Sequence, residues 1–137
     1  MRSLAEGYRA AVISMLLRMM TADGHKDRRE YLYILKVADE MGMTQEDIAA
    51  LTPDDLSRKG KMPGSERDRM TILYYLLFMM DMNRVESPGE EDLIREFGNL
   101  LGFRIDLVAD LIMVIKSHKP EPTPTDELLE TIRTYLN

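Results

Sequence analysis

Acidic residues that follow the first apolar segment have a spacing that could bind a divalent cation. Asp23, Asp27 and Glu30 lie on either side of Gly24, and hard cations such as Ca²⁺ prefer carboxylate oxygens. The stretch is not an EF-hand, because a calcium loop with Gly24 as its sixth residue would start at Met19, and a thioether is the wrong ligand. The sequence leaves open a looser site in which these three carboxylates act together with backbone carbonyls and water.

Helix capping explains most of the same residues without a ligand. Gly24 can end one helix in the left-handed conformation, Asp27 can accept hydrogen bonds from the first amides of the next helix, and Glu30 can bond back to the cap. Each such cap contributes about 1 kcal/mol. Capping leaves Asp23 unexplained. We therefore expect a structural loop, with cation binding as the alternative.

The sequence contains no recognisable catalytic set. His25 lies between Asp23 and Asp27, but residues two positions away in one loop orient a histidine base poorly, and no nucleophile is fixed nearby. The chain has no cysteine, and it lacks the glycine-rich signatures of phosphate sites, dinucleotide sites and serine hydrolases. We predict that the chain is not an enzyme and needs no cofactor, apart from the divalent cation of the alternative.

Helical periodicity dominates the elements that must position these residues. Apolar residues recur at helical spacing in residues 4–19, 31–41, 70–80 and 105–116. Thr44, Ser65 and Ser87 are predicted to start further helices as N-caps. Residues 70–80 are apolar on nearly all sides, which places that helix at the centre of a bundle. No segment alternates long enough to predict a strand, and 137 residues suit one domain. The predicted fold class is an all-α, single-domain helical bundle.

A shift of 60 positions aligns two halves of the chain. Residues 16–51 and 76–111 share nine identities without a gap, whereas chance agreement would be about a tenth of the positions. Each half also follows the same order of apolar helix, polar loop, capped helix, glycine and short helix. The sequence therefore predicts two pseudo-repeats, at about residues 10–51 and 70–111, that pack against each other.

The loop of the first half carries a family resemblance. Residues 21–30 read Thr-Ala-Asp-Gly-His-Lys-Asp-Arg-Arg-Glu, after an apolar helix and before a helix that ends in glycine. This arrangement resembles the tellurite-resistance TerB-like family, whose pattern is two copies of helix, Ala-Asp-Gly loop and helix with an early glutamate. The resemblance covers about residues 5–117. The second half differs, since Asp81-Met82-Asn83-Arg84 stands where Ala-Asp-Gly is expected.

The resemblance implies a TerB-like bundle of about seven to eight helices in a bacterial, cytoplasmic setting. It also implies a role in stress-response or envelope-associated complexes. On this basis residues 1–118 form the helical domain, residues 119–125 a proline-rich linker and residues 126–137 an amphipathic C-terminal helix. We expect that helix to fold back on its own bundle; the alternative is docking on another protein or on a second copy in a homodimer.

The predicted function is that of a non-catalytic interaction module with a protein partner. The binding surface is expected on the two loops, at residues Asp23, Gly24, His25, Asp27, Asp81, Asn83 and Glu86. The alternative is a Ca²⁺- or Mg²⁺-responsive binding protein that uses Asp23, Asp27 and Glu30. A net charge of −6 argues against nucleic-acid binding. No apolar run reaches the roughly 18–20 residues that cross a bilayer, and Glu6 interrupts any signal-peptide core, so a cytoplasmic location is expected.

Overall fold

The computed structural model describes residues 6–22, 28–51 and 65–135. These residues form seven helices and contain no strand, which confirms the all-α class. The helices are α1 (Glu6–Thr21), α2 (Arg28–Glu40), α3 (Gln45–Ala49), α4 (Glu66–Met82), α5 (Pro88–Leu100), α6 (Ile105–His118) and α7 (Thr125–Arg133). Within this described part of the chain, no helix is both long and apolar enough to span a membrane.

Side chains cap three of the helices at their N-termini. Thr44 and Asp47 form a capping box before α3, in which the Thr44 hydroxyl accepts from the Asp47 amide at 3.1 Å and the Asp47 carboxylate accepts from the Thr44 amide at 2.8 Å. Ser65 caps α4 and Ser87 caps α5, each by accepting from the amide three residues later. Pro88 occupies the first turn of α5, where its missing amide hydrogen costs nothing. These starts are the ones the sequence predicts.

Helix α4 lies at the centre of the bundle. It packs against α1, α2, α5 and α6. Six of its side chains are at most 1% exposed: Ile72, Leu73, Leu76, Leu77, Met79 and Met80. A helix that is apolar nearly all round can bury each face only by contacting neighbours on several sides, as the sequence predicts for residues 70–80.

Two helix boundaries lie at equivalent positions under the shift that aligns the halves. α3 begins at Gln45 and α6 at Ile105, and α2 ends at Glu40 and α5 at Leu100. Gly42 and Gly102 follow those two ends with φ angles of +77° and +85°, a conformation that favours glycine. After each glycine, the next amide donates to a carbonyl five residues earlier, at 2.8 and 3.0 Å, which satisfies a helix-end carbonyl.

An arginine covers each of these glycines. The Arg9 guanidinium lies 3.3 Å from the place where a Gly42 Cβ would stand, and the Arg69 guanidinium lies 3.4 Å from the corresponding place at Gly102. Arg9 also donates to the Met41 carbonyl at 2.9 Å. The correspondence ends at the third helix of each half, since α3 has 5 residues and α6 has 14.

The C-terminal helix α7 folds back onto α6 of the same chain. Its apolar face is covered, with Leu128 1% and Ile132 6% exposed. Two polar contacts join its ends to α6, because Tyr135 donates to the Asp110 carboxylate and the His118 ring lies 2.6 Å from the Glu127 carboxylate. A homodimer that used the apolar face of α7 would therefore require exchange of the helix between copies. The helix begins at Thr125, inside the segment assigned to the linker.

Candidate functional site

A cavity of about 570 Å³ opens between the N-terminal turn of α2, the C-terminal turn of α4 and residues 120–122. We call it the α2–α4 cleft. Its walls include Arg29, Phe78, Met82, Arg84 and Pro122. The volume falls within the range of about 300–1,000 Å³ that is typical of ligand pockets. The cleft adjoins the second of the two loops that the sequence indicates as a binding surface.

On the other side of the bundle, the corresponding junction between α1 and α5 is closed. There, Gly89 of α5 approaches the end of α1 so closely that a Cβ would lie 2.9 Å from the Ala22 carbonyl oxygen. The shift that aligns the two halves sets Arg29 against Gly89 and Met82 against Ala22. Both of these larger side chains line the cleft. The exchange of a small pair for a large pair therefore distinguishes the closed junction from the open one.

Asn83 and Glu90 fix the loop that follows α4. The Asn83 side chain donates to the Glu90 carboxylate at 3.1 Å and accepts from the Val85 amide at 3.3 Å. Glu90 is only 1% exposed, and a buried carboxyl group needs such hydrogen bonds. The contact joins the first turn of α5 to the loop that follows α4. Asn83 is half-buried and uses its amide within the chain.

Lys119 fastens the linker to the same loop. Its ammonium donates to the main-chain carbonyls of Met80 at 2.9 Å, of Asn83 and of Val85 at 3.4 Å. Burial lowers the pKa of Lys119, and the nearby carboxylates of Glu90 and Asp81 oppose that shift. A cation at the C-terminal end of a helix is favourable because the last carbonyls lack helical partners.

Asp81 forms the second fastening. Its carboxylate accepts from the Thr123 amide at 3.1 and 3.2 Å and from the Thr123 hydroxyl at 2.7 Å. Thr123 is buried. Together with Lys119, this contact holds residues 119–123 against the end of α4, and we call the two contacts the linker clamp. The segment predicted as a spacer is thus a wall of the cleft, and Asp81 has a structural role beside its place in the lining.

Of the other predicted site residues, some lie outside the described part of the chain and some lie within it. Asp23, Gly24, His25 and Asp27 lie outside the described residues. Glu86 is exposed, whereas Glu30 is 5% exposed. In the ranges 6–22, 28–51 and 65–135, no three histidine, aspartate or glutamate side chains come together in a way that could hold a metal ion.

The cleft combines exposed cationic and aromatic groups. Arg84 is exposed and makes no ion pair with any residue of the described ranges. Phe78 is 38% exposed and stacks on Tyr74 with ring centroids 5.9 Å apart. The Tyr33 hydroxyl donates to the Tyr75 carbonyl at 3.0 Å, and burial raises its pKa well above the ordinary value, so the phenol stays neutral.

The charge of Arg84 and the ring of Phe78 are suited to binding. A guanidinium does not lose its proton in proteins, and the Asp81 carboxylate is already bonded to Thr123. Arg84 and Phe78 instead offer charge pairing and apolar contact. Sequence reasoning missed Lys119, Phe78 and Arg29 as neighbours, because 36–39 residues separate Lys119 from the carbonyls that it binds. The sequence contained one indication of this cleft, because the alignment of the two halves sets Arg29 against Gly89.

No protein-family model, curated protein or solved structure matches the chain. The resemblance to the TerB-like family therefore rests on the residues quoted for it.

Proposed function

We propose that this chain is a non-catalytic interaction module of the TerB-like type, in which two helical repeats pack face to face. We place it in the cytoplasm of a bacterium, within a stress-response or envelope-associated complex. The equivalent helix boundaries at Gln45 and Ile105 and at Glu40 and Leu100 support the repeat. So do the corresponding positions of Arg9 near Gly42 and of Arg69 near Gly102. Equivalent positions with equivalent contacts are what duplication of one supersecondary unit produces.

The α2–α4 cleft carries the functional part of the proposal. It presents the exposed ring of Phe78 and the Arg84 guanidinium, which has no ion-pair partner among the described residues, on a frame that the linker clamp holds in place. Aromatic and arginine side chains are over-represented among the residues that dominate binding energy at interfaces. A rigid surface also lowers the entropy cost of binding, because fewer groups must be ordered.

Photo-crosslinking tests the proposal in the native cell. A photoreactive phenylalanine analogue is placed at Phe78 in the cleft and, as a matched control, at Met113 on α6, which is 60% exposed. We expect a defined crosslinked protein from position 78 that is absent from position 113 and is lost when Arg84→Glu is combined with the analogue. Identical products from both positions, or a product insensitive to Arg84→Glu, would contradict the proposal.

A chelator separates this proposal from the divalent-cation alternative. The crosslink at position 78 should persist in excess EDTA, because the described cleft offers no cluster of metal ligands. Loss of the crosslink on chelation, with recovery when Ca²⁺ or Mg²⁺ is restored, would favour the alternative that uses Asp23, Asp27 and Glu30.

A further inference from the structure

The lining of the cleft contains an arginine that has no ion-pair partner among the described residues. This residue is Arg84, which is exposed. Of the two carboxylates in the lining, Asp81 is already engaged by the Thr123 amide and hydroxyl and faces the Lys119 ammonium. The other carboxylate is Glu121, and no ion pair joins it to Arg84 among the described residues.

The same cleft has an apolar floor. Phe78 exposes 38% of its surface and is held by stacking on Tyr74. Met82 and the rings of Pro120 and Pro122 complete the apolar part of the lining. An exposed, preorganised aromatic ring beside flexible methionine is suited to packing against another large apolar side chain.

We infer that the α2–α4 cleft binds an acidic peptide segment in which a carboxylate side chain lies close to a large apolar side chain. The apolar side chain packs on Phe78 and Met82, and the carboxylate pairs with Arg84. Charge-assisted hydrogen bonds from a guanidinium to a carboxylate are about twice as strong as neutral ones. This inference depends on the proposed function, because it names the segment that the interaction module recognises.

The arrangement favours a peptide over a small anion or a nucleic acid. A free carboxylate or phosphate would leave the apolar floor uncovered, and apolar burial is the larger source of affinity. A nucleic acid would need a broad basic surface, whereas the chain carries a net charge of −6 and Glu121 lies in the cleft itself.

Selection from a random heptapeptide display library on the intact protein tests the inference. We expect enriched peptides that combine aspartate or glutamate with phenylalanine, leucine or tyrosine within about two positions. One enriched peptide, labelled with a fluorophore, is then titrated by fluorescence anisotropy. Its affinity should fall with rising salt, because exposed charge pairs are screened, and should be unchanged by EDTA.

Matched variants localise the binding. Arg84→Ala should weaken the peptide's affinity about tenfold and Arg84→Glu further, while Phe78→Ala should weaken it about tenfold or more. Arg133→Glu makes the same charge change at an exposed position on α7, and Met113→Ala removes an exposed apolar side chain from α6. Both controls should retain wild-type affinity. The replaced side chains are exposed, so melting temperatures should be near that of the wild type.

Four results would overturn the inference while leaving the proposed function to its own crosslinking test. Enrichment of basic peptides would contradict the charge argument, and failure to enrich any peptide would exclude a linear acidic segment. Equal loss of affinity in the cleft variants and the control variants would place binding elsewhere. Displacement of the labelled peptide by millimolar acetate or inorganic phosphate alone would show a small-anion site, which also overturns it.

Discussion

Replacement of Lys119 by methionine tests whether the linker clamp stabilises the fold. The substitution keeps most of the aliphatic stem and removes the ammonium, which donates to the carbonyls of Met80, Asn83 and Val85. The Val85 contact is exposed, so water replaces that donor at little cost. The other two carbonyls are partly buried, and that of Met80 also accepts from the Asn83 amide at 3.2 Å. The expected destabilisation is about 2 kcal/mol, with about 1 kcal/mol for leaving the Asn83 carbonyl without its ammonium donor and about 1 kcal/mol for the lost hydrogen bond to Met80.

The melting temperature provides the measurement. For a chain of 137 residues, a destabilisation of 1 kcal/mol lowers the melting temperature by roughly 3–5 °C, so Lys119→Met should melt about 6–10 °C below the wild type. Arg133→Met serves as the control, because it removes an ion pair whose two side chains are 69% and 71% exposed. Exposed pairs contribute about 0–1 kcal/mol, so the control should shift the melting temperature by only a few degrees at most.

Hydrogen exchange would show which segments lose stability in Lys119→Met. Amides of residues 80–87 and 119–125 should exchange faster in Lys119→Met, while those of α1 should change little, because the lost donor connects only the first two segments. A melting temperature within the range of the Arg133→Met control would refute the reasoning. It would show that water satisfies the carbonyls as well as the ammonium does.

Local geometry gives three further predictions. Gly89→Ala should destabilise the protein by about 1–2 kcal/mol in urea unfolding, because the new Cβ lies 2.9 Å from a carbonyl oxygen and the crowding exceeds the gain in helix propensity; a more stable variant would contradict this. Gly42→Ala and Gly102→Ala should each cost about 1–2 kcal/mol in the same assay, since both positions have positive φ, and a neutral result at either would exclude that conformation. The hydrogen bond to Asp110 raises the pKa of Tyr135 to about 12. The contribution of this hydrogen bond to stability is therefore complete below pH 10, the pKa of tyrosine in the unfolded chain. It is lost as the pH rises through about 12, the pKa of Tyr135 in the folded protein. Absorbance titration at alkaline pH should show that Tyr135→Phe removes a late-ionising phenol, and loss of a phenol with an ordinary pKa would contradict the contact.

The features that the sequence predicted correctly depend on neighbours along the chain. The capping roles of Thr44, Ser65 and Ser87 need only the amides three residues later. The central position of α4 follows from apolar residues on all its faces. The glycines after α2 and α5 end those helices because their positive φ angles cost little without a Cβ.

The features that the sequence did not reveal depend on residues distant in the chain. Asp81 reads as an exposed binding residue until Thr123, 42 positions later, is found bonded to its carboxylate. Lys119 reads as the first residue of a spacer until its ammonium is seen among the carbonyls after α4. Each contact joins two polar groups without any periodic pattern, so local spacing contains no signal for it.

The asymmetry between the two halves connects the fold to the proposed binding. Two repeats of one unit would be expected to present two equivalent junctions, one between α1 and α5 and one between α2 and α4. At the first, Gly89 lets α5 approach the end of α1, where a Cβ would lie 2.9 Å from the Ala22 carbonyl oxygen. Arg29 and Met82 line an open junction instead. The linker clamp adds residues 119–123 to that open side only, because both of its acceptor groups belong to α4 and its following loop. The α2–α4 cleft therefore lies on one side of the repeat pair, and Phe78, Met82 and Arg84 in its lining occupy positions at which the two halves differ.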